Sequence, residues 1–165
     1  MKSSRVLLAC AALLLGAAAP TRPPAGAPVI LQAQPGTPLD QVARQLVAED
    51  LQAAATRGDR PLVLIGTAKL GGDRPALFVQ LQSPQECGSA GCSTSVYAFV
   101  RGAWSRVLDG TSGRLAVAST RTRGWSDLLA NDERYVWTGT AYRSTRPAPS
   151  VDLRPKTPPP RHSGR

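Results

Sequence analysis

The feature that most restricts this chain is the placement of its prolines. Six lie between residues 20 and 38 and six between 147 and 160, leaving only Pro61, Pro75 and Pro84 in between. Proline lacks a backbone donor and fixes φ, so helix interiors and central strands exclude it. A hydrogen-bonded fold is thereby confined to the middle of the chain. Every aromatic residue, from Phe78 to Tyr142, falls in that same stretch. One domain over residues 36–145, about 110 residues, suits the usual single-domain size. Residues 19–35 read as a Pro-rich linker. The ending "RPAPSVDLRPKTPPPRHSGR", residues 146–165, holds too little apolar surface to order itself and reads as a disordered tail.

The N-terminus has a secretory pattern. Lys2 and Arg5 precede the apolar run "VLLACAALLLGAAA", Val6 to Ala19, with small residues at Gly16-Ala17-Ala18. The run falls short of the roughly 20 apolar residues of a membrane span. Residues 1–18 are expected to be a signal peptide, with a cut after Ala33 as the later option. "LLAC", ending at Cys10, offers a lipoprotein alternative, and a buried helix is the structural one. The expected location is periplasmic or secreted.

Charge points the same way as proline. The formal net charge is +9, and seventeen of the twenty basic residues are arginine. Residues 144–165 hold five basic residues against Asp152, whereas residues 34–143 hold twelve basic and ten acidic ones. The excess belongs to the tail more than to a folded basic face, so nucleic acid is not an indicated partner. An envelope protein or an anionic envelope polymer is.

Within the middle region, "TPLDQVARQLVAEDLQAAATRG" predicts one amphipathic helix over 38–57. Thr37 caps it, Pro38 fits its first turn, Asp40 suits the positive end, and Gly58 follows as C-cap. Leu39, Val42, Leu46 and Leu51 lie near one face. Strands follow: "PLVLIGTAKL" and "ALFVQLQS" around the turn "GGDRP", then "STSVYAFVR" turning through "GA" into "WSRVLDG", then "GRLAVAST" and "RYVWTGTAYR". Leu77, Val79 and Leu81 alternate with Ala76, Phe78 and Gln80. The expected fold class is α+β, one helix packed on an antiparallel sheet of about six or seven strands. A small β-barrel with a peripheral helix is the alternative.

Cys87 and Cys92 frame the loop "CGSAGC". An even pair in an exported chain favours a disulfide, and the flanking strands would bring the two together. The four-residue separation differs from the two-residue separation of thioredoxin-type redox sites. A zinc set is also missing, because the only histidine is His162, in the tail. A structural staple at a hairpin tip is expected, one that presents Ser89 and Ala90.

A second cluster is Arg114, Arg121, Arg123 and Trp125, around "RTRGWSDLL". Arginines beside an exposed indole would suit an anionic or sugar-containing ligand. The plainer account is a turn with solvated arginines and a tryptophan plugging the sheet edge. Trp137 and Tyr142 are expected to face each other across the last hairpin. Catalytic groups are few. No nucleophile-elbow pattern surrounds Ser93, and "GTAKLGGD" lacks the Gly-Lys-Ser/Thr ending of a phosphate loop. Glu49-Asp50 and Asp132-Glu133 are adjacent pairs that point apart. No cofactor and no metal are expected, and no catalytic residue is assigned.

The stretch "SPQECGSAGCSTSVYAFVRGAW", with Gly124 to Leu128 and with Trp137, Gly139 and Tyr142, resembles small exported bacterial proteins of unassigned function. These share a Cys-Gly-x-x-Gly-Cys hairpin, a Gly-Trp-x-Asp-Leu turn and a Trp-x-Gly-x-x-Tyr ending. The ending also looks like the edge of a single integrin-type or propeller repeat, although "STRTRGWSD" is basic where that repeat's calcium loop is acidic. The resemblance implies an envelope location and a stapled β domain, and no activity. The functional expectation is a non-enzymatic exported domain that binds an envelope partner. The alternatives are an inhibitor of a secreted hydrolase, or a hydrolase or thiol oxidoreductase.

Overall fold

The computed structural model describes residues 26–131 and 133–146. The signal, the Cys10 reading and the tail lie outside the described residues. The chain forms two open antiparallel sheets and two short helices rather than one sheet and one helix. The barrel alternative does not hold, because neither sheet closes on itself.

The helix begins as its sequence dictates. Asp40 N donates to Thr37 Oγ1 at 3.1 Å, and Asp40 Oδ2 accepts from Gly36 N at 3.1 Å, so cap and first turn satisfy each other. It then breaks. α1 spans Pro38–Leu46 and α2 spans Ala48–Thr56, joined at Val47, whose ψ of 23° leaves the helical region. Val47 is buried at the joint, where its branched side chain packs under both helices. Gly58, at φ +77°, ends α2.

The sheet under the helices contains β2 (Leu62–Lys69), β3 (Pro75–Gln82), β5 (Gly91–Val100) and β6 (Ala103–Ser112), in the spatial order β2-β3-β5-β6. The short β4 (Cys87–Gly88) pairs with the start of β5. Arg101 and Gly102, both at positive φ, make the two-residue β5–β6 turn, one position earlier than the "GA" reading. The middle of strand β3, Ala76 to Val79, has water on neither face. Leu77, Val79 and Leu81 pack under the helices with Val63, Ile65 and Tyr97. Ala76 and Phe78 point the other way, into a core shared with Val96, Leu115, Leu128 and Trp125.

That second core is roofed by the other sheet: β1 (Gly26–Pro28), β7 (Leu115–Thr122), β8 (Trp125–Ala130), β9 (Glu133–Trp137) and β10 (Tyr142–Ser144), in the order β1-β7-β8-β9-β10. The molecule is thus three layers, helices on sheet on sheet. The two sheets are tied on one side by residues 26–34, which the Pro-rich linker reading left outside the domain. β1 pairs with β7, then Gln32 and Ile65 exchange hydrogen bonds at 2.8 and 3.0 Å. Proline is tolerated at Pro28 because β1 is an edge strand. A cut after Ala33 would remove this strap, whereas the earlier cut leaves it intact.

The strap lies directly on Gly66. A methyl group there would meet Val29 Cγ1 at 2.7 Å and Ile30 O at 2.9 Å, and a carbonyl oxygen cannot swing aside as a side-chain end can. Gly66→Ala is therefore expected to cost about 1–3 kcal/mol. A chain starting at Gly36 should lose stability too, and Gly66→Ala should then add little to that loss. Urea denaturation of the four proteins checks this. Additive losses would mean that the strap does not press on Gly66.

Candidate functional site

The cysteines are placed as expected. Cys87 and Cys92 are direct cross-strand partners with an S–S bond, their Cα atoms 4.0 Å apart. Between them Gly88 pairs with Gly91, and Ser89-Ala90 forms the exposed two-residue turn. Gly91 takes the positive φ of 97° that closes it. The hairpin is an extension of β3 and β5, anchored at its base by Gln80 Nε2 donating to Thr94 Oγ1 at 2.9 Å.

The arginine cluster does not assemble. Arg114 precedes β7 and Arg121 and Arg123 lie at its far end, so the length of the strand separates the first from the others. Arg123 and Gly124 form the two-residue β7–β8 turn, and Arg123 Nη1 donates to Thr138 O at 2.5 Å. Trp125 is buried rather than exposed. Its ring stacks on Trp137 at 4.1 Å with Tyr142 edge-on to both, and Arg74 covers it at 5.1 Å. The ligand-stacking reading of Trp125 is corrected: the indole is core. Trp137 and Tyr142 do face each other across the last hairpin.

Sequence reasoning passed over Asp127, in the centre of "GWSDLL". It is fully buried, and its Oδ2 accepts from Thr120 Oγ1 at 2.6 Å and from Arg134 Nη2 at 2.6 Å. Oδ1 makes no hydrogen bond. Burial pushes this carboxyl up, but the hydrogen bonds and the Arg134 charge outweigh it and hold the group below the ordinary value of 3.8. Tyr142 is pushed the other way, first by burial and then by the Asp127 charge, while its hydroxyl donates to Ser126 O at 2.6 Å. An acid held ionised beside a phenol held neutral is a charge lock, with no proton exchange between them at neutral pH.

One hollow, of about 240 Å³, lies between α2 and the outer face of β5 and β6. Its floor is Val79 and Leu81. Its charges are already engaged with each other. Arg57 pairs with Glu86, and Arg106 reaches Asp50 at 3.0 Å and Asp109 at 3.2 Å while its guanidinium lies over Tyr97. A ligand would have to break these pairs, so the hollow is a brace between helix and sheet.

The other hollows line up. Edge strand β6 of one sheet runs beside edge strand β10 of the other. Three adjoining depressions follow β6 from Ser105 to Ser112, sharing Val107 and Tyr135, and the middle one measures about 320 Å³. Val107, Leu108 and Tyr142 are its buried floor. Ala90 of the disulfide turn and Asn131 close one end, and Gly139 and Thr140 the other. Thr111 Oγ1 and Tyr135 Oη, 3.1 Å apart, reach across this seam. No motif scan finds it, because strand edges rather than reactive side chains define it.

Among the described residues no group of His, Cys, Asp and Glu could hold a metal ion, and no helix is long and apolar enough to cross a membrane. Comparison with protein-family models, with curated proteins and with solved structures finds no match to this chain.

Replacing Cys87 and Cys92 together by serine should cost about 2 kcal/mol, the chain-entropy value for so short a loop. Thiol titration of the unfolded native chain should find neither of the two reactive before reduction. For Asp127, whose folded value is depressed, the stabilisation is complete above the ordinary carboxylate range and is lost as pH falls through the folded value. Asp127→Asn should lower stability at neutral pH and flatten the acid limb of an urea-midpoint-against-pH curve. An unchanged acid limb would assign that limb to other carboxylates.

Proposed function

We propose that this chain is a non-enzymatic exported domain that binds a protein partner in the cell envelope, and that the β6–β10 seam is the binding surface. The observation that carries the reading is the seam itself: adjoining depressions, the middle one floored by Val107, Leu108 and Tyr142, beside two strand edges that pair with nothing else among the described residues. The disulfide and the secretory pattern at residues 1–18 support an oxidising, extracytoplasmic setting. The even balance of charge on the domain favours a protein over an anionic polymer as its partner.

Site-specific photo-crosslinking in the producing cell tests this. A photoreactive residue at Arg143, on the seam, should give one discrete adduct with an envelope protein. The same residue at Gln52, exposed on α2, should give none. Equal adducts from both positions, or none from Arg143, would remove the seam as the binding surface.

The disulfide turn supports a second reading, inhibition of a secreted hydrolase, because Ser89 and Ala90 stand exposed on a covalently closed hairpin. A rigid wedge of this kind should lose affinity for its hydrolase in the double-serine variant. Equal capture of the same hydrolase by both forms would end that reading.

A further inference from the structure

The backbone at the seam specifies what kind of partner fits. Residues 105 and 107 lie by 139 and 140, residues 106–109 by 141–144, and residues 110–112 by 146. Strands β6 and β10 therefore run parallel to one another, on opposite sides of the groove. A strand entering between parallel neighbours runs either antiparallel or parallel to both, and antiparallel pairing is the more stable per residue.

The free backbone groups are equally specific. Thr138 N bonds Ala141 O and Thr145 N bonds Arg134 O, so residues 141, 143 and 145 turn their backbone toward β9. By antiparallel alternation Tyr142 and Ser144 turn theirs into the seam. On β6, the two-residue turn makes Val100 and Ala103 the closing hydrogen-bonded pair, which leaves Trp104 and Arg106 facing outward. Beyond Arg106, the register shifts that set Leu108 opposite Val96 and Thr111 opposite Thr94, with Gly110 at φ 55°, twist the edge. Such bulges keep an edge from pairing indiscriminately, and they limit a bound strand to a few residues.

The edges are not yet a full two strand spacings apart. Cα atoms of β6 and β10 come within 8 Å of each other, against roughly 9.6 Å for an intervening strand. A strand entering there must part them slightly, and the Thr111–Tyr135 hydrogen bond is the latch it would release. The floor at Val107, Leu108 and Tyr142 is apolar, and the rim carries the exposed Arg101 and Arg143, while Arg106 is already paired with Asp50 and Asp109. Glu133 is already engaged by Ser144, and Arg143 is exposed.

Resting on the reading above, we infer that the partner is engaged by strand addition. A short extended segment enters antiparallel to both β6 and β10, with apolar residues turned in and acidic residues turned out. The probe is a labelled synthetic peptide alternating glutamate and valine, titrated against the full oxidised chain by fluorescence anisotropy. Saturable binding is expected, weakened about tenfold or more when lysine replaces glutamate and lost when a central valine is replaced by proline. Arg143→Glu should invert the preference between the glutamate and lysine peptides. Tyr135→Phe, which removes the latch, should tighten binding even though it stabilises nothing in the free protein. Bound peptide should slow amide exchange at Trp104, Arg106, Tyr142 and Ser144.

Equal binding of the glutamate, lysine and proline peptides would overturn the inference, as would protection at the β1 or β2 edge instead. Binding by a chain ending at Arg146 but not by the full chain would show the seam filled by the chain's own residues, and would also overturn it. The two readings fail separately. Peptide binding without a cellular adduct leaves strand addition standing and removes the envelope partner. An Arg143 adduct without peptide binding does the reverse.

Discussion

The structure depends on β3 being dry on both faces. Most antiparallel sheets leave one face to water, and their strands alternate accordingly. Here Ala76, Leu77, Phe78 and Val79 are all buried in succession, so two separate layers must cover the strand. The helices supply one and the second sheet the other. Each layer also depends on the other: without the helices Leu77 and Val79 would face solvent, and without the second sheet Phe78 would. Burying these three side chains contributes on the order of 2 kcal/mol each, a sizeable share of the net stability of a domain this size.

The parts of the fold set by local chemistry were legible in the sequence. Thr37 and Asp40 announce the helix start, the Pro-poor middle announces the strands, and Trp137 and Tyr142 announce their own pairing. What was not legible depended on distant partners. Alternation in β3 shows that its residues face opposite ways, but not that different sheets meet those faces. The strap at 26–34 hides behind its prolines, since composition cannot reveal that an edge strand needs few donors. The helix break at Val47 carries no glycine or proline to mark it; it follows from what lies beneath.

The site followed the same division. Cys87 and Cys92 are close in sequence, and their pairing was readable. The arginines looked like a cluster because residues 114 to 123 are near in number, yet a strand runs between them and separates them by its own length. Trp125 looked exposed because it follows a turn, and only the arrival of β9 and β10 buries it. Asp127 stood in a quoted motif but was given no role, because its partners, Thr120 and Arg134, sit on neighbouring strands. The seam joins edges about 35 residues apart and offers mainly backbone, so no residue type signals it.

The strap has a consequence for how the chain comes to be folded. Gly26 is partnered with Ala118, across nearly the whole domain. Contacts of such separation form late, because the loop between them must close before they contribute anything. A chain emerging N-terminus first therefore carries β1 unpaired until β7 appears. For this segment the order of synthesis and the order of pairing differ: β1 is made before every other described strand, yet its partner β7 comes after β2 to β6.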